Sequence, residues 1–174
     1  MERPLRKVPP GAVGESQECY DDAMEADSEE EALHLLPQAL ELDPGNTDAW
    51  LIILSQTPAM SADEKIGMLR KIVARAEERL GEKAFKKFAG HFGGFHETRP
   101  CMRARATLAD ALHRAGRFES SAAEVEAMLE LNPGDNQSLR YRQLACRLAL
   151  AKLDDVRALF ARFPDEFDFN MVFA

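Results

Sequence analysis

The residues of this sequence that could bind a metal ion are two histidines and a cysteine, His91, His96 and Cys101. They follow one another at spacings of five residues. Zinc sites instead place their ligands in patterns such as CxxC or HExxH, and no fourth ligand is apparent near these three residues. We therefore predict no metal ion and no other cofactor. The three residues are interpreted as a loop histidine, a helix-end histidine and a small buried thiol.

Sequence motifs for catalysis are missing as well. The chain contains no GxSxG, GxxxxGK[ST] or GxGxxG pattern, and no nucleophile stands at a recognisable spacing from a base. Asp154 and Asp155 are interpreted as caps of the helix that contains Val156. The sequence thus predicts no catalytic residue and a protein that is not an enzyme. A cryptic metal site or active site in residues 91–101 is the less favoured alternative.

The composition predicts one globular domain. The chain has 174 residues, of which 45% are hydrophobic and 30% are charged, as in ordinary soluble proteins. No apolar run approaches the roughly 20 residues that span a bilayer, and the N-terminus lacks the apolar segment of a signal peptide. Three cysteines, Cys19, Cys101 and Cys146, are odd in number and far apart. We therefore predict a cytoplasmic protein without disulfides or a membrane partner.

Charge is distributed unevenly along the chain. Residues 8–64 contain 14 acidic residues and no lysine or arginine, whereas residues 65–174 contain 19 basic and 15 acidic residues. One interpretation is simply a solvated surface. The other is charge complementarity, either with a basic partner or between copies of the chain, which would be a monomer or a weak homodimer. The net charge of −8 argues against a nucleic acid partner.

Residues 98–133 carry the clearest helical pattern. Apolar residues recur at helical spacing before Gly116 and again after it, ending at Pro133. The first run is Met102, Leu108, Ala109 and Leu112, and the second is Phe118, Ala122, Val125, Met128 and Leu129. We expect Leu108 and Leu112 to be buried between the two helices of this hairpin. Because one hairpin cannot bury both of its apolar stripes, the pattern predicts stacked neighbours.

The remaining hairpins are predicted on either side of this one. Residues 1–14 are interpreted as a flexible arm and residues 15–174 as a single helical repeat domain. The first hairpin is expected over residues 15–42, with a kink or restart near Leu36 because Pro37 lies inside its second helix. The second is expected over residues 47–81, with a capping box from Ser61 to Glu64 and a stop at Gly81.

The last hairpin and the phenylalanine-rich segments complete the prediction. Tyr141, Leu144, Ala145 and Leu148 are expected to form one buried stripe, and Val156, Leu159, Phe160 and Phe163 the other. The phenylalanines of residues 82–97 are expected to pack between the second and third hairpins. The C-terminal side chains Phe167, Phe169, Val172 and Phe173 are too apolar to remain in water. We therefore expect residues 166–174 to dock on the exposed end of the fourth hairpin; the alternative is docking on a second chain.

Residues 98–133 resemble a tetratricopeptide repeat, in which a helix-turn-helix unit spans about 34 residues. Ser121 stands where that repeat usually has alanine. The segments GHFGGFHETRPCMRAR and NPGDNQSLRY are similar to a family of small soluble bacterial repeat proteins whose motifs read ETRPYMRA and NPxDNQGxRY, so that Cys101 replaces a tyrosine and Ser138 a glycine. The resemblance implies an all-α fold, a tetratricopeptide-like right-handed superhelix of about four hairpins.

The same resemblance implies a site. The first helices of such hairpins line a concave groove, and the matching positions on the third hairpin are Arg103, Ala106, Asp110, His113 and Arg114. On the fourth hairpin, with the register uncertain by one residue, they are Arg140, Leu144 and Arg147. A groove lined by guanidinium groups suits an acidic peptide or protein. The alternative is ordinary surface arginine paired with Glu97, Asp110 and Glu119. The asparagines of a chaperone-type carboxylate clamp are not found.

Overall fold

The computed structural model describes residues 8–9, 11–57 and 60–164 of the chain. Within these residues there are eight α-helices and no β-strand, so the predicted all-α class is confirmed. The helices are α1 (Ala12–Glu25), α2 (Glu29–Leu42), α3 (Thr47–Gln56), α4 (Ala62–Phe88), α5 (Arg99–Arg114), α6 (Phe118–Leu131), α7 (Leu139–Ala149) and α8 (Leu153–Arg162). Two short 3₁₀ helices, Phe92–Gly94 and His96–Thr98, connect α4 to α5.

Helices that follow one another in the chain pack against one another. The pairs α1–α2, α3–α4, α5–α6 and α7–α8 form successive hairpins, and α4 with α5 and α6 with α7 join one hairpin to the next. The first helices of the second and third hairpins, α3 and α5, also touch. This order is that of stacked hairpins, while the handedness of the stack stays a prediction.

Local sequence explains most of the helix boundaries. Ser61 begins α4 with the predicted capping box, in which the Ser61 hydroxyl accepts from the backbone N–H of Glu64 and the Glu64 carboxylate accepts from that of Ser61. Gly81 interrupts α4 with a left-handed φ of 71°, so the predicted stop is a break after which helical residues resume and continue to Phe88. Gly116 makes the α5–α6 turn with a φ of 72°.

The structure bears on three expectations about helix boundaries. Helix α1 begins at Ala12, whose side chain is buried, so residues 12–14 of the predicted arm belong to the first hairpin. Helix α2 continues through Pro37 without restarting at Leu36, and the alternative expectation, a kink at Pro37, stays a prediction. Lys152, rather than an aspartate, stands at the start of α8. Asp154 and Asp155 lie in its first turn, where Asp154 pairs with Arg157 and Asp155 with Arg147. Their negative charges also interact favourably with the positive end of the helix dipole.

The core is divided into three clusters along the stack. The first joins α1, α2 and α3, the second joins α3, α4 and α5, and the third joins the end of α4 to the last two hairpins. Leu108 and Leu112 are buried as predicted, but they pack in the second cluster with Leu54, Ile66 and Leu69 rather than against α6. Helix α6 instead packs on the Met102 and Ala109 face of α5. The third hairpin therefore depends on the second for part of its burial.

The phenylalanines between α4 and α5 are largely packed into the third cluster. Helix α4 ends at Phe88, so Phe92 lies in a 3₁₀ turn rather than on a continued helical face. Phe88 and Phe92 are buried, with the Phe85 and Phe92 ring centroids 5.1 Å apart and those of Phe88 and Phe95 4.3 Å apart. Docking of residues 166–174, with Phe167, Phe169, Val172 and Phe173, lies outside the described residues.

Candidate interaction groove

The linker between α4 and α5 and the turn between α6 and α7 meet in space. Asn132 accepts a hydrogen bond from the backbone N–H of Gly93 at 3.1 Å, and Asn136 donates to the carbonyl of Gly93 at 3.3 Å. The two asparagines also bond to each other at 2.7 Å. A Cβ atom on Gly93 would lie 2.3 Å from the Asn136 side chain, so only glycine fits this contact. We call the three residues the asparagine clasp; it ties the α4–α5 linker to the α6–α7 turn.

The residues after the clasp orient helix α7. The buried Asp135 carboxylate accepts from the backbone N–H groups of Leu139 at 2.6 Å and Arg140 at 3.0 Å, which satisfies two free donors at the helix start. Ser138, at the N-cap position, has φ 57° and ψ 34°, a left-handed conformation that favours glycine. Glycine would adopt this conformation without the steric cost that the serine side chain incurs.

Helix α5 presents the predicted groove positions on one face. Arg103 and Arg114 are exposed, and Ala106, Asp110 and His113 are half-buried. The buried residues Met102, Leu108, Ala109 and Leu112 occupy the rest of the helix surface. All five residues chosen on α5 are therefore placed together on the side of the helix that the core leaves open.

Helix α7 is rotated relative to the prediction. A cavity of about 540 Å³ lies between α5 and α7, and its α7 wall is formed by Tyr141, Arg142 and Ala145. Leu144, predicted in the groove, is only 5% exposed and belongs to the core. Leu148, expected in the buried stripe, is 48% exposed. Arg142 thus takes the place assigned to Arg140.

The rotation has a polar cause. Gln143 and Cys146 are buried on the inner face of α7, and the Gln143 amide donates to the Glu126 carboxylate of α6 at 2.9 Å. The pattern of apolar residues predicted that Gln143 and Cys146 lie on the surface and that Tyr141 and Leu148 are buried. No local pattern marks a glutamine that is buried because of a partner on the neighbouring helix.

The structure places Arg140 and Arg147 outside the α5–α7 cavity. The Arg140 guanidinium donates to the Asp135 carboxylate at 2.8 Å and lies 5.0 Å from the Tyr141 ring centroid. Its side chain is 12% exposed. Arg147 pairs with Asp155 at 3.0 Å and lines a smaller cleft with α6 and α8. Neither arginine therefore lines the α5–α7 cavity, and a role for either in binding a partner stays a prediction.

The arginines of the groove pair with aspartates of the same helix or of a neighbouring helix. Arg103 donates to both carboxylate oxygens of Asp48 on α3, one of them at 2.8 Å. Asp110 accepts from Arg142 on α7 and from Arg114, the latter at 2.8 Å. Of the three acidic partners proposed from sequence, Asp110 forms such pairs. The Arg103–Asp48 and Arg142–Asp110 pairs run from the first helix of one hairpin to that of the next, whereas Arg114 and Asp110 both lie on α5.

His113 lies beside the contact between α5 and α7, which we call the seam. Its Nδ1 atom is 3.3 Å from the Cys146 sulfur, and its ring meets that of Phe118 edge-on at 5.1 Å. Loss of solvent lowers the pKa of His113, as does the nearby Arg142 guanidinium, while Asp110 opposes both. Because Cys146 is fully buried, the pair holds α5 against α7 and offers no exposed nucleophile.

The residues considered for metal binding have other contacts. The Nδ1 atom of His96 is 3.4 Å from an Arg99 nitrogen. Cys101 is buried, and burial raises the pKa of its thiol to about 11 although Arg105 opposes the shift. Among the described residues, no group of three or more histidine, cysteine, aspartate or glutamate side chains is placed to hold a metal ion.

A second cavity, of about 610 Å³, was not predicted. It lies between the start of α1, the α2–α3 turn, the last turns of α4 and the start of α5. Its walls are mainly apolar, and Lys83 and Lys87 stand at its edge. The spacing of four between these lysines is visible in the sequence, but the cavity is built from four separate segments of the chain and therefore leaves no local sequence signal.

The chain matches no family model, no curated protein and no solved structure. Over the part of the chain that the structure describes, every helix is too short or too polar to cross a bilayer.

Proposed function

We propose that this chain is a tetratricopeptide-like interaction module of the cytoplasm, without catalytic activity, that binds an acidic peptide or protein segment in the groove between α5 and α7. The observation that supports it is the open seam between the first helices of two successive hairpins. The cavity there has a volume of about 540 Å³ and includes Ala106 and Asp110, two positions chosen from the repeat pattern. A right-handed stack of hairpins would extend the same groove to α3.

The chemistry of the seam supports a peptide ligand. Tyr141, Ala145 and Ala106 provide apolar surface, and an aromatic side chain at the centre of a groove is a common anchor for binding. The open stripe of α5 adds Thr107, whose small side chain leaves the groove accessible to an extended chain. A peptide could therefore bury apolar side chains while its backbone contacts the polar groups between the helices.

The charges of the seam support an acidic ligand. Arg103, Arg114 and Arg142 outnumber the two aspartates, Asp48 and Asp110, that hold them. Arg114 is 80% exposed despite its pair with Asp110. Exposed ion pairs of this kind contribute little to stability, so a carboxylate of a partner can bind the same guanidinium at small cost.

Selection from a random peptide library displayed on phage tests this proposal. We expect enriched peptides with net negative charge whose affinity falls as salt rises, because exposed charge contacts are screened. The substitutions Thr107→Trp and Ala145→Trp should block the groove and abolish binding. Arg114→Ala should weaken binding several-fold, in line with the modest value of one exposed charge contact.

Arg157→Ala provides the matched control, since Arg157 is a similarly exposed arginine on α8, paired with Asp154 and distant in sequence from the groove residues. It should leave peptide affinity unchanged. Circular dichroism should show the same helical signal for all variants. Failure to enrich any peptide, or enriched peptides that bind both blocked variants as well as the original chain, would contradict the proposal.

Self-association is the second candidate. Ten carboxylate side chains of the first hairpin are exposed, and residues 11–42 contain no lysine or arginine. The exposed lysines of α4, Lys83, Lys86 and Lys87, offer a basic surface to such an acidic hairpin from a second copy. Light scattering tests this candidate: a mass that rises with protein concentration at low salt and returns to that of a monomer at high salt would support it, whereas a constant monomer would exclude it.

A further inference from the structure

We propose that the cavity of about 610 Å³ between α1, α4 and α5 is a second binding site, for a small molecule that joins an apolar chain to a single carboxylate. Its lining shares no residue with the cavity between α5 and α7, although Asp48 also pairs with Arg103 of the groove, and it does not depend on the function proposed for that groove. Its volume falls within the ordinary range of small-molecule sites, about 300–1,000 Å³.

Most of the surface of this cavity is apolar, although Gln17, Asn46 and Thr47 also line it. Helix α4 contributes a row of small and aromatic side chains at helical spacing, and α1 and α5 close the sides. The apolar lining residues are Val13, Ala76, Leu80, Ala84, Phe88 and Pro100. A hydrocarbon chain that enters leaves water for these walls, which stabilises the complex by burial of apolar surface.

The turn between α2 and α3 forms a fixed wall. Asp43 accepts from the backbone N–H of Gly45 at 2.9 Å and pairs with Arg79 of α4. A Cβ atom on Gly45 would lie 2.5 Å from the Arg79 guanidinium, so the guanidinium lies directly over the turn. Asp48, also in the lining, is held by Arg103. The charges of Asp43, Asp48 and Arg79 are therefore compensated within the protein.

Two ammonium groups at the edge of the cavity remain for a ligand. Lys83 and Lys87 are one helical turn apart, and both line the cavity. Among the described residues neither lysine forms an ion pair; the Lys87 ammonium lies 4.5 Å from the Phe88 ring centroid. Their neighbour Lys86, by contrast, does not line the cavity and lies 3.9 Å from Glu82.

The net charge of the residues around the cavity indicates which polar group the ligand has. Two lysines face one remaining acidic residue, Glu97, at the edge of the cavity, which leaves a net charge of one positive unit. A monoanion neutralises this charge, whereas a cation would face repulsion and a dianion would exceed it. An ammonium pair also accommodates a carboxylate without the planar geometry that arginine would require. The combination of an apolar interior and this edge fits an alkyl carboxylate.

Calorimetric titration of the full chain with decanoate, below its micelle concentration, tests the proposal. We expect saturable binding of one molecule per chain, with affinity that falls as salt rises. The double substitution Lys83→Ala/Lys87→Ala should reduce affinity about tenfold. Lys86→Ala should leave it unchanged, since that lysine lies on the same helical turn but outside the cavity. Decanol should bind more weakly than decanoate.

A second variant tests the cavity itself. Ala84→Phe places a large side chain in the lining and should abolish binding while the helical circular dichroism is retained; Thr107→Trp in the α5–α7 groove should have no effect. The proposal is overturned by the absence of saturable binding to the original chain, by equal affinity for decanol and decanoate, by an equal loss with Lys86→Ala, or by undiminished binding to a folded Ala84→Phe variant.

Discussion

At the scale of single residues, Ser138 has a disfavoured backbone conformation that the contacts of neighbouring residues maintain. Asp135 fixes the start of α7 by accepting two backbone hydrogen bonds. The turn between Asp135 and Leu139 holds Ser138 at φ 57°. A side chain in this left-handed region is disfavoured by about 1–2 kcal/mol relative to an ordinary conformation, whereas glycine is not. The strain is thus the consequence of a well-made helix cap next to it.

We therefore expect Ser138→Gly to stabilise the protein by roughly 1 kcal/mol. The higher chain entropy of glycine in the unfolded state reduces the gain but does not reverse it. Urea denaturation measures the effect as a higher midpoint at an unchanged slope. The same substitution at Ser120, an exposed position in α6, should instead destabilise. A lower midpoint for Ser138→Gly would show that the left-handed conformation is not retained in solution.

At the scale of helices, α5 is the element on which the others depend. One of its faces packs on the second hairpin, another on α6, and a third forms the groove. The sequence predicted this helix well, because its apolar residues, glycine turn and arginine-rich stripe are all local features. It did not reveal which buried residue faces which neighbour, since Leu108 and Met102 look alike in a periodic pattern.

Helix α7 shows why the other half of the groove was missed. Its inner face contains a buried glutamine, and the register became visible only with the Gln143–Glu126 hydrogen bond. The cavity at Lys83 and Lys87 was missed for a related reason, since it is built from four separate elements. Local periodicity predicts which segments are helical; it does not predict polar contacts between distant segments.

Burial of Leu108 predicts a specific loss of stability. Leu108 is 2% exposed and packs with residues of α3 and α4. Leu108→Ala should destabilise the protein by roughly 2–5 kcal/mol, because it removes apolar contacts and leaves a cavity between two hairpins. Leu148→Ala, at a 48% exposed position, should change the unfolding free energy by about 0.5 kcal/mol or less. Similar urea midpoints for the two variants would refute this arrangement of the core.

At the scale of the whole molecule, the polar contacts that join one hairpin to the next differ along the stack. Ion pairs tie the second hairpin to the third and the third to the fourth, as in Arg103–Asp48, Arg117–Asp63 and Arg142–Asp110. The first hairpin joins the rest through Asp43–Arg79 and the polar contacts of Asn46, and its exposed carboxylates repel one another. Electrostatic repulsion between like charges therefore destabilises the first hairpin more than the other hairpins.

The asparagine clasp has a consequence for the order in which the chain folds. It joins Gly93 to Asn132 and Asn136, which lie 39 and 43 residues further along, whereas hairpin contacts involve much closer partners. Closing so long a loop costs chain entropy before any contact repays it, so we expect the clasp to form after the folding barrier has been crossed. Asn136→Ala should then speed unfolding and leave the folding rate nearly unchanged in stopped-flow experiments. A folding rate reduced in proportion to the lost stability would instead make the clasp part of the nucleus from which the stack grows.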